Sequence, residues 1–339
     1  MEKKSPVLEK VSWITGFLSV ALALVVPCWP QGSHGVPDEV RFVSETVGAP
    51  VVGPMSVVDT MRAWVGLAYT ADGGATWIAR RPPRESARNF LEPLELTFFV
   101  DAQRGFLNGE HWVWDTDDSG ATWKPRLPGR FSTVSFTGNT GWMAVTDNDP
   151  LVRNYVTRDV GRTWTECGHT WNMTNVAPGG AASFIDERNG WITIETLDEL
   201  RRPSLGGVAR TEDGGCTWKT LWRDRADPGE NLAGIQFVDK EFGWLFARYG
   251  GLLRTSDGGH HWRPVILPPM MLESMYLVRR TRGWVLGSSS SGLALYETDD
   301  GGMHWNSVSS SDLRHGRGLA AEIPTRWGAA FLAKVRAAN

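Results

Sequence analysis

The sequence predicts an all-β protein with the fold of a β-propeller, because two repeated motifs share one period. The first motif, here called the box, has the pattern Thr-x-Asp-Gly-Gly-x-Thr-Trp and occurs six times, with some substitutions. Its aspartates and tryptophans are Asp72 and Trp77, Asp118 and Trp123, Asp159 and Trp164, Asp213 and Trp218, Asp257 and Trp262, and Asp300 and Trp305. Successive box aspartates lie 41 to 54 residues apart. A period of about 40 to 50 residues is typical of propeller blades with four strands each.

A second motif precedes the boxes and places the other strands of each unit. It appears as FVDAQRGF (99–106), FTGNTGW (136–142), FIDERNGW (184–191), FVDKEFGW (237–244) and, more loosely, LVRRTRGW (277–284). Each unit is therefore predicted to contain an apolar strand, a polar turn, a Gly-Trp strand, a third strand ending in Thr, the box turn and a fourth strand that opens on Trp.

The residue types of the box suit a tight turn between the third and fourth strands. An aspartate accepts hydrogen bonds from backbone N–H groups about two residues on, and glycine adopts a positive φ without steric cost. The tryptophan that follows can bury roughly 150–250 Å² against the neighbouring hairpin, which accounts for 18 Trp in 339 residues. We therefore expect the box aspartates to be structural and not catalytic, including the adjacent pairs Asp117–Asp118 and Asp299–Asp300.

The predicted number of blades depends on the segments near both ends of the chain. Residues 318–335 have the pattern of the first two strands of a further blade, and residues 39–48 are able to complete it. This arrangement predicts a seven-bladed propeller, with six boxed blades and one closed by both termini, so that few sheet edges stay exposed. Six blades with a flanking extension is the alternative. We predict one propeller domain over 36–339, preceded by a signal peptide or N-terminal anchor over 1–35.

The N-terminal segment is typical of export. Lys3, Lys4 and Lys10 precede residues 13–26, a run without charge that is short for a membrane span of about 20 residues. The expected location is the periplasm, the cell envelope or the extracellular space, with a mature start between residues 28 and 36. Lipidation at Cys28 and an uncleaved anchor stay open as alternatives.

The two motifs together resemble the Asp-box, or bacterial neuraminidase, repeat, and most closely the photosystem II assembly and stability factor family. That resemblance covers roughly residues 40–305. It implies a seven-bladed propeller that binds partner proteins, has no catalytic activity and uses an arginine-rich patch. The sequence departs from the pattern at Val160, where glycine is usual, and at His261 and His304, which replace threonine.

Charge composition favours a protein partner. The formal net charge is −3, so a general nucleic-acid surface is not expected. Arginine far outnumbers lysine, and its planar guanidinium suits protein interfaces. The candidate partner-binding residues are Arg80, Arg81, Arg84, Arg88, Arg279, Arg280 and Arg282. The expected partner is another protein, such as a membrane protein or its precursor, and the expected state is a monomer. Loops with solvated charges are the alternative interpretation.

The competing function is an Asp-box glycoside hydrolase of the sialidase or xyloglucanase type. Such an enzyme requires two carboxylates facing the channel, and the best candidates are Glu195 and Asp198. The Arg-Ile-Pro marker of sialidases is absent from the sequence, and the seven histidines are scattered. We therefore predict no catalytic residues, metal or cofactor. Cys167 and Cys216 are either two small buried residues or a disulfide between adjacent blades.

Overall fold

The computed structural model of the chain describes the blades and leaves the two ends outside. The described residues are 55–57, 62–65, 68–71, 78–80, 97–109, 111–147, 151–172, 176–197, 203–223, 232–247, 251–289 and 292–308. Within these ranges the chain forms 24 β-strands in six four-stranded antiparallel sheets and no helix. Each sheet takes its four strands in sequence order, so each is one blade.

The strand bounds follow the repeat. Blade 1 contains β1 (Met55–Val57), β2 (Ala63–Val65), β3 (Ala68–Thr70) and β4 (Ile78–Ala79), and blade 2 contains β5 (Thr97–Phe99), β6 (Gly105–Asn108), β7 (Trp112–Thr116) and β8 (Lys124–Pro128). Blade 3 contains β9 (Arg130–Thr137), β10 (Thr140–Thr146), β11 (Leu151–Thr157) and β12 (Thr165–Asn172), and blade 4 contains β13 (Val176–Phe184), β14 (Gly190–Leu197), β15 (Pro203–Thr211) and β16 (Lys219–Arg223). Blade 5 contains β17 (Leu232–Phe237), β18 (Gly243–Ala247), β19 (Gly251–Thr255) and β20 (Arg263–Val265), and blade 6 contains β21 (Met271–Arg279), β22 (Arg282–Ser289), β23 (Gly292–Thr298) and β24 (Asn306–Ser307).

The blades are arranged around their first strands. First strands of neighbouring blades contact each other, as β9 contacts β13, β13 contacts β17 and β17 contacts β21. The fourth strands therefore lie at the outer edge. Because the strands alternate in direction, the turn between strands one and two and the turn between strands three and four leave the sheet at the same end. We call this end the box face, since it carries every described box turn.

Aromatic side chains fill the space between neighbouring blades. Between blades 4 and 5, Trp191 of the Gly-Trp strand stacks on Phe237 at the end of the next blade's first strand, with ring centroids 3.8 Å apart. Box Trp262 meets the same Phe237 edge-on at 5.9 Å. Equivalent three-ring groups occur between blades 2 and 3 and between blades 3 and 4 (Phe106, Phe136 and Trp164; Trp142, Phe184 and Trp218). The two sequence motifs thus meet across each of these interfaces.

The glycine of the Gly-Trp motif is required by this packing. A Cβ atom on Gly190 would lie 2.6 Å from the ring of Phe184, and one on Gly141 would lie 2.5 Å from the ring of Phe136. These distances are far inside van der Waals contact, so the first-strand phenylalanine lies directly over the glycine. The tryptophan beside it is then turned toward the neighbouring blade, where Trp142, Trp191 and Trp244 are almost fully buried.

The architecture confirms the predicted all-β propeller class. The boxes of blades 2 to 6 lie between the third and fourth strands, as expected. Each fourth strand begins one residue after the box tryptophan, and not on the tryptophan as predicted. Asp72 and Trp77 of the first box, the predicted seventh blade and the N-terminal segment 1–35 lie outside the described residues. Across the described ranges, no helix has the length and apolar character needed to cross a membrane.

Candidate functional site

The box turn of blade 2 shows how the motif closes. Asp118 accepts hydrogen bonds from the Thr116 hydroxyl (2.8 Å), the Thr122 amide (2.8 Å) and the Thr122 hydroxyl (2.6 Å). The Thr116 hydroxyl oxygen in turn accepts from the amide of Gly120 at 2.8 Å. Ser119 and Gly120 between them have φ values of 62° and 78°. The aspartate therefore bridges residues two before and four after itself, which corrects the expectation that it binds N–H groups about two residues on.

These hydrogen bonds set the charge of the box aspartates. Burial alone would raise the pKa of Asp159, but hydrogen bonds from the amide and hydroxyl of Thr163 and from the Thr157 hydroxyl outweigh it and lower the pKa to about 2. The pKa values of Asp257 and Asp300 are lowered in the same way, with His261 and His304 supplying the bonds. The box aspartates are therefore ionised. Their carboxylate oxygens accept hydrogen bonds from residues of their own turns, so their role is structural.

Blade 3 carries a strained variant of the turn. Val160 has a φ of 60° at the position where the other boxes have glycine or serine. A β-branched residue is a clear outlier in this left-handed region. The turn nevertheless closes, because the Val160 amide donates to the Asn139 carbonyl at 2.9 Å and Asp159 still bonds Thr157 and Thr163.

Two arginines, Arg80 and Arg254, connect one blade to the box turn of the next. Arg80 donates through Nη1 to the carbonyl oxygens of Asp118 and Ser119, at 3.1 and 3.0 Å, and its guanidinium lies 4.3 Å from the ring centroid of Tyr69. Arg254 of blade 5 donates to the Gly301 carbonyl of the blade 6 box at 3.2 Å. Arg80, a predicted partner-binding residue, therefore has a stabilising role between blades 1 and 2.

The other described candidates lie together in the hairpin turn between β21 and β22. Arg279 is exposed. Arg280 reaches the turn between the first two strands of blade 5, where it pairs with Asp239 at 2.6 Å and Glu241 at 2.8 Å. Arg282 is largely buried and pairs with Glu297 and Asp299 of its own blade at 2.9 and 2.8 Å.

This turn differs from the equivalent turns of blades 2, 4 and 5. In those turns an aspartate (Asp101, Asp186 or Asp239) accepts the amides two and three residues on, at 2.7 to 2.9 Å. Blade 6 has a tighter turn without an aspartate and presents arginine instead. Asp239 and Glu241 were not among the predicted site residues, although the acidic residues are visible in FVDKEFGW.

The described arginines of the two predicted clusters lie on one face of the propeller. Arg80 contacts a box turn, and Arg279 to Arg282 form a turn between first and second strands, so the described members of both clusters lie on the box face. Arg81, Arg84 and Arg88 lie outside the described residues. The arginine patch stays a prediction.

Of the two candidate hydrolase residues, only Glu195 is among the described residues. Glu195 is half-buried near the end of β14, on the opposite face, and burial raises the pKa of its carboxyl. Asp198 lies outside the described residues. Within the described part of the chain, no three His, Cys, Asp or Glu side chains are grouped so as to hold a metal ion.

Cys167 and Cys216 form a disulfide that joins blades 3 and 4, with their Cα atoms 5.1 Å apart. Of the two alternatives left open by the sequence, the structure selects the disulfide. Buried Asn154 donates to the Cys216 carbonyl at 3.3 Å, and a Cβ on Gly168 would lie 2.7 Å from the same oxygen. The outer strand of blade 3 therefore lies directly against the box turn of blade 4.

Comparison with known proteins supports the resemblance. No family model matches the chain. The photosystem II assembly lipoprotein Ycf48 of Synechococcus sp. (strain CC9902) is 34% identical over 148 residues, which span 41% of this chain and 40% of the relative. A solved structure described as YCF48 bound to D1 peptide aligns over 76% of this chain and 80% of its own, with 17% identity and a TM-score of 0.50. A GH74 enzyme of Niastella koreensis aligns over 75% and 49%, with 12% identity and a TM-score of 0.44.

These similarities confirm two of the expectations. The curated relative confirms the resemblance to the photosystem II assembly factor family that the repeats predict. The solved structure with a TM-score of 0.50 supports the β-propeller fold. The chain spans less than half the length of the curated relative that it matches.

Proposed function

We propose that this chain is a non-enzymatic, exported β-propeller that binds another protein through its box face, as an assembly scaffold. The observation that carries the proposal is the turn of blade 6, which presents Arg279 and Arg280 where blades 2, 4 and 5 have an aspartate that binds its own turn. The resemblance to an assembly lipoprotein supports the same function. A membrane protein or its precursor is the expected partner.

The two arginines differ in how they can take part. Arg280 is 50% exposed while it holds Asp239 and Glu241, so its guanidinium is fixed in position before a partner arrives. Fixing a side chain in advance reduces the entropy lost on binding. Arg279 is exposed beside it and has greater freedom to reach a carboxylate. The pair therefore combines one positioned and one adaptable cation, and arginine is favoured at protein interfaces.

The test is capture of the partner by an immobilised variant. Changing Arg279→Glu together with Arg280→Gln should reduce capture of the membrane protein that the unchanged chain retains from a membrane extract of the source, identified by mass spectrometry. The matched control is Arg162→Glu, an exposed arginine in the box turn of blade 3 on the same face. Equal capture by the double variant and the control would overturn the proposed surface.

Glycoside hydrolysis is the second candidate, and half-buried Glu195 is the observation in its favour. A raised carboxyl pKa suits a general acid, and burial produces that shift here. The reaction requires a second carboxylate about 5 to 9.5 Å away, and Asp198 is the candidate for it. Purified protein should therefore be assayed on sialosides and β-glucans beside a Glu195→Gln variant. Hydrolysis that the variant loses would replace the scaffold proposal with an enzymatic one.

Export is part of the proposal. The basic flank and apolar run of residues 1–26 support it, and so does the disulfide between Cys167 and Cys216, since disulfides persist in oxidising compartments. Intact mass of the native protein should give a mature start between residues 28 and 36 and no free thiol at Cys167 or Cys216 after alkylation. An unprocessed Met1 in a cytosolic fraction would contradict export.

A further inference from the structure

Histidine replaces threonine at one position of two neighbouring box turns. In blades 2, 3 and 4 this position is Thr122, Thr163 or Thr217, whose hydroxyl donates to the box aspartate at 2.6 to 2.7 Å. In blades 5 and 6, Nδ1 of His261 lies 2.7 Å from Asp257 and Nδ1 of His304 lies 2.6 Å from Asp300. The two imidazole side chains are 85% and 87% exposed, so Nε2 of each is available to solvent and to a partner.

The two histidine boxes belong to one continuous surface. The amide of Gly258 in the blade 5 box donates to the Glu241 carbonyl at 2.8 Å. Glu241 pairs with Arg280 of blade 6, and the amide of Gly301 in the blade 6 box donates to the Thr281 carbonyl at 2.9 Å. We call this surface the blade 5–6 ridge, which comprises residues 239–242, 255–262, 279–282 and 298–305.

The ridge is close to electrical balance only while its histidines are neutral. Its basic residues are Lys240, Arg279, Arg280 and Arg282, and its carboxylates are Asp239, Glu241, Asp257, Asp299 and Asp300. Four cations against five anions give a formal charge of −1, and protonation of His260, His261 and His304 changes it to +2. Among the described residues, the charged groups that face the ridge from neighbouring positions include Asp186, Arg210, Glu212, Arg254, Arg263 and Glu297. Histidine changes charge between about pH 5 and 8.

We propose that the blade 5–6 ridge is a docking surface for an acidic protein segment, and that protonation of His260, His261 and His304 strengthens this docking as the pH falls. The inference rests on the proposed function, because it states the chemistry of the partner and adds control by pH. Charge complementarity selects the occupant, since the exposed cations of the ridge are Lys240, Arg279, Arg280 and, once protonated, the three imidazoles. The exposed carboxylates Glu241 and Asp299 are paired with Arg280 and Arg282. The box carboxylates are engaged by their own turns and present less charge to a partner.

The test measures binding of a fluorescein-labelled peptide of about ten glutamates to the full-length protein, by fluorescence anisotropy at low ionic strength. Binding at about pH 5.5 should be about tenfold tighter than at about pH 7.5, the size of effect that three exposed charge pairs produce. A variant with His260→Ala, His261→Thr and His304→Thr should bind equally at both pH values. Its threonines restore the residue that boxes 2 to 4 already use, so its turns are expected to close. His169→Gln, at an exposed histidine of blade 3, is the control and should keep the pH dependence.

The outcomes separate this inference from the proposed function. A pH dependence that survives in the triple histidine variant, or its absence from the unchanged chain, would overturn the role of the histidines. Loss of binding at about pH 7.5 on Arg279→Glu would support the arginine surface whatever the histidines do. Equal binding by Arg279→Glu and the unchanged chain at both pH values would overturn the proposed surface itself.

Discussion

The box turns of blades 4 and 5 have the same backbone and differ in the side chain that bonds the box aspartate from four residues on. The two glycines have φ values of 83° and 99° in blade 4 and of 76° and 97° in blade 5. The first threonine bonds its aspartate at 2.8 Å in both. Four residues after that aspartate, blade 4 has Thr217 and blade 5 has His261, and either side chain bonds the carboxylate. The turn therefore needs a polar group at this position and leaves its identity free for surface chemistry.

The same two boxes differ in what lies under the turn. Trp218 of blade 4 is buried, and its ring contacts Trp142, Trp171 and Phe184, whereas Trp262 of blade 5 is only partly buried and stacks edge-on against Phe237. Blade 4 also has the disulfide at Cys216. Every box therefore forms the same turn, but the stability that its tryptophan contributes depends on the side chains it meets in its own and the neighbouring blade.

Removal of the box tryptophans should give the largest effect and test this difference. Trp218→Ala should lower the free energy of unfolding by about 3–5 kcal/mol, because it leaves a cavity among three aromatic rings. Trp262→Ala should cost less, at about 3 kcal/mol, since part of its surface already contacts solvent. Denaturant melts of the two variants should therefore rank in that order. Equal or reversed losses would contradict the link between burial and contribution.

Removal of the box aspartates should give a smaller and more uniform effect. Asp213→Ala and Asp257→Ala should each cost about 1–3 kcal/mol, because amides and hydroxyls of the turn lose their acceptor. In both blades the aspartate accepts from the threonine two residues before it and from the amide and side chain four residues after it, so the two losses should agree within about 0.5 kcal/mol. Denaturant melts measure both values, and a silent change at either position would contradict the structural role of the aspartate.

Blade 3 allows the opposite test, in which a substitution in the box turn is expected to raise the free energy of unfolding. Val160→Gly should raise the free energy of unfolding by about 1 kcal/mol, because glycine adopts a φ of 60° without the steric cost that a β-branched residue has there. Gly161→Ala, at a φ of 79° and with a Cβ 2.4 Å from the ring of Phe106, should destabilise and serves as the matched control. A loss of stability in Val160→Gly would show that the valine makes compensating contacts.

How far the sequence predicts the molecule depends on whether a feature is local. The box and Gly-Trp motifs predict strands, turns and the class of fold, because their hydrogen bonds and ring contacts recur in each unit. The pairing of Arg280 with Asp239 and Glu241 is different, since it joins side chains about 40 residues apart whose turns meet only after two blades pack. The contact of Arg80 with Ser119 is likewise not visible in a local pattern, and the role of Arg80 in partner binding stays a prediction. The disulfide stayed open because Cα separation is not encoded in spacing.

Acid should destabilise the boxes at a pH well below that of the histidine effect. Hydrogen bonds lower the pKa of Asp159 to about 2 from an ordinary value of 3.8. A depressed carboxyl pKa contributes stability that is present above about pH 4 and is lost as the pH falls toward about 2. The unfolding midpoint in denaturant should therefore be level between about pH 7 and 5 and fall below about pH 4. Asp159→Asn should flatten part of that fall, and an unchanged profile would contradict this assignment.

The smallest effect on stability is expected for an exchange of the threonine and histidine that bond the box aspartate from four residues on. Thr217→His and His261→Thr should each change the free energy of unfolding by less than about 0.5 kcal/mol, as for other exposed positions, because either side chain bonds the aspartate. Binding of the acidic peptide should respond differently. His261→Thr should weaken the pH dependence, since it removes a titrating group from the blade 5–6 ridge, while Thr217→His adds one outside it and should leave the dependence unchanged. If Thr217→His increased the pH dependence as much as His261→Thr reduced it, the peptide would be sensing the total charge of the propeller. A weaker pH dependence in His261→Thr together with an unchanged one in Thr217→His would instead locate the pH effect on the ridge, where Arg279 and Arg280 lie between the two histidine boxes.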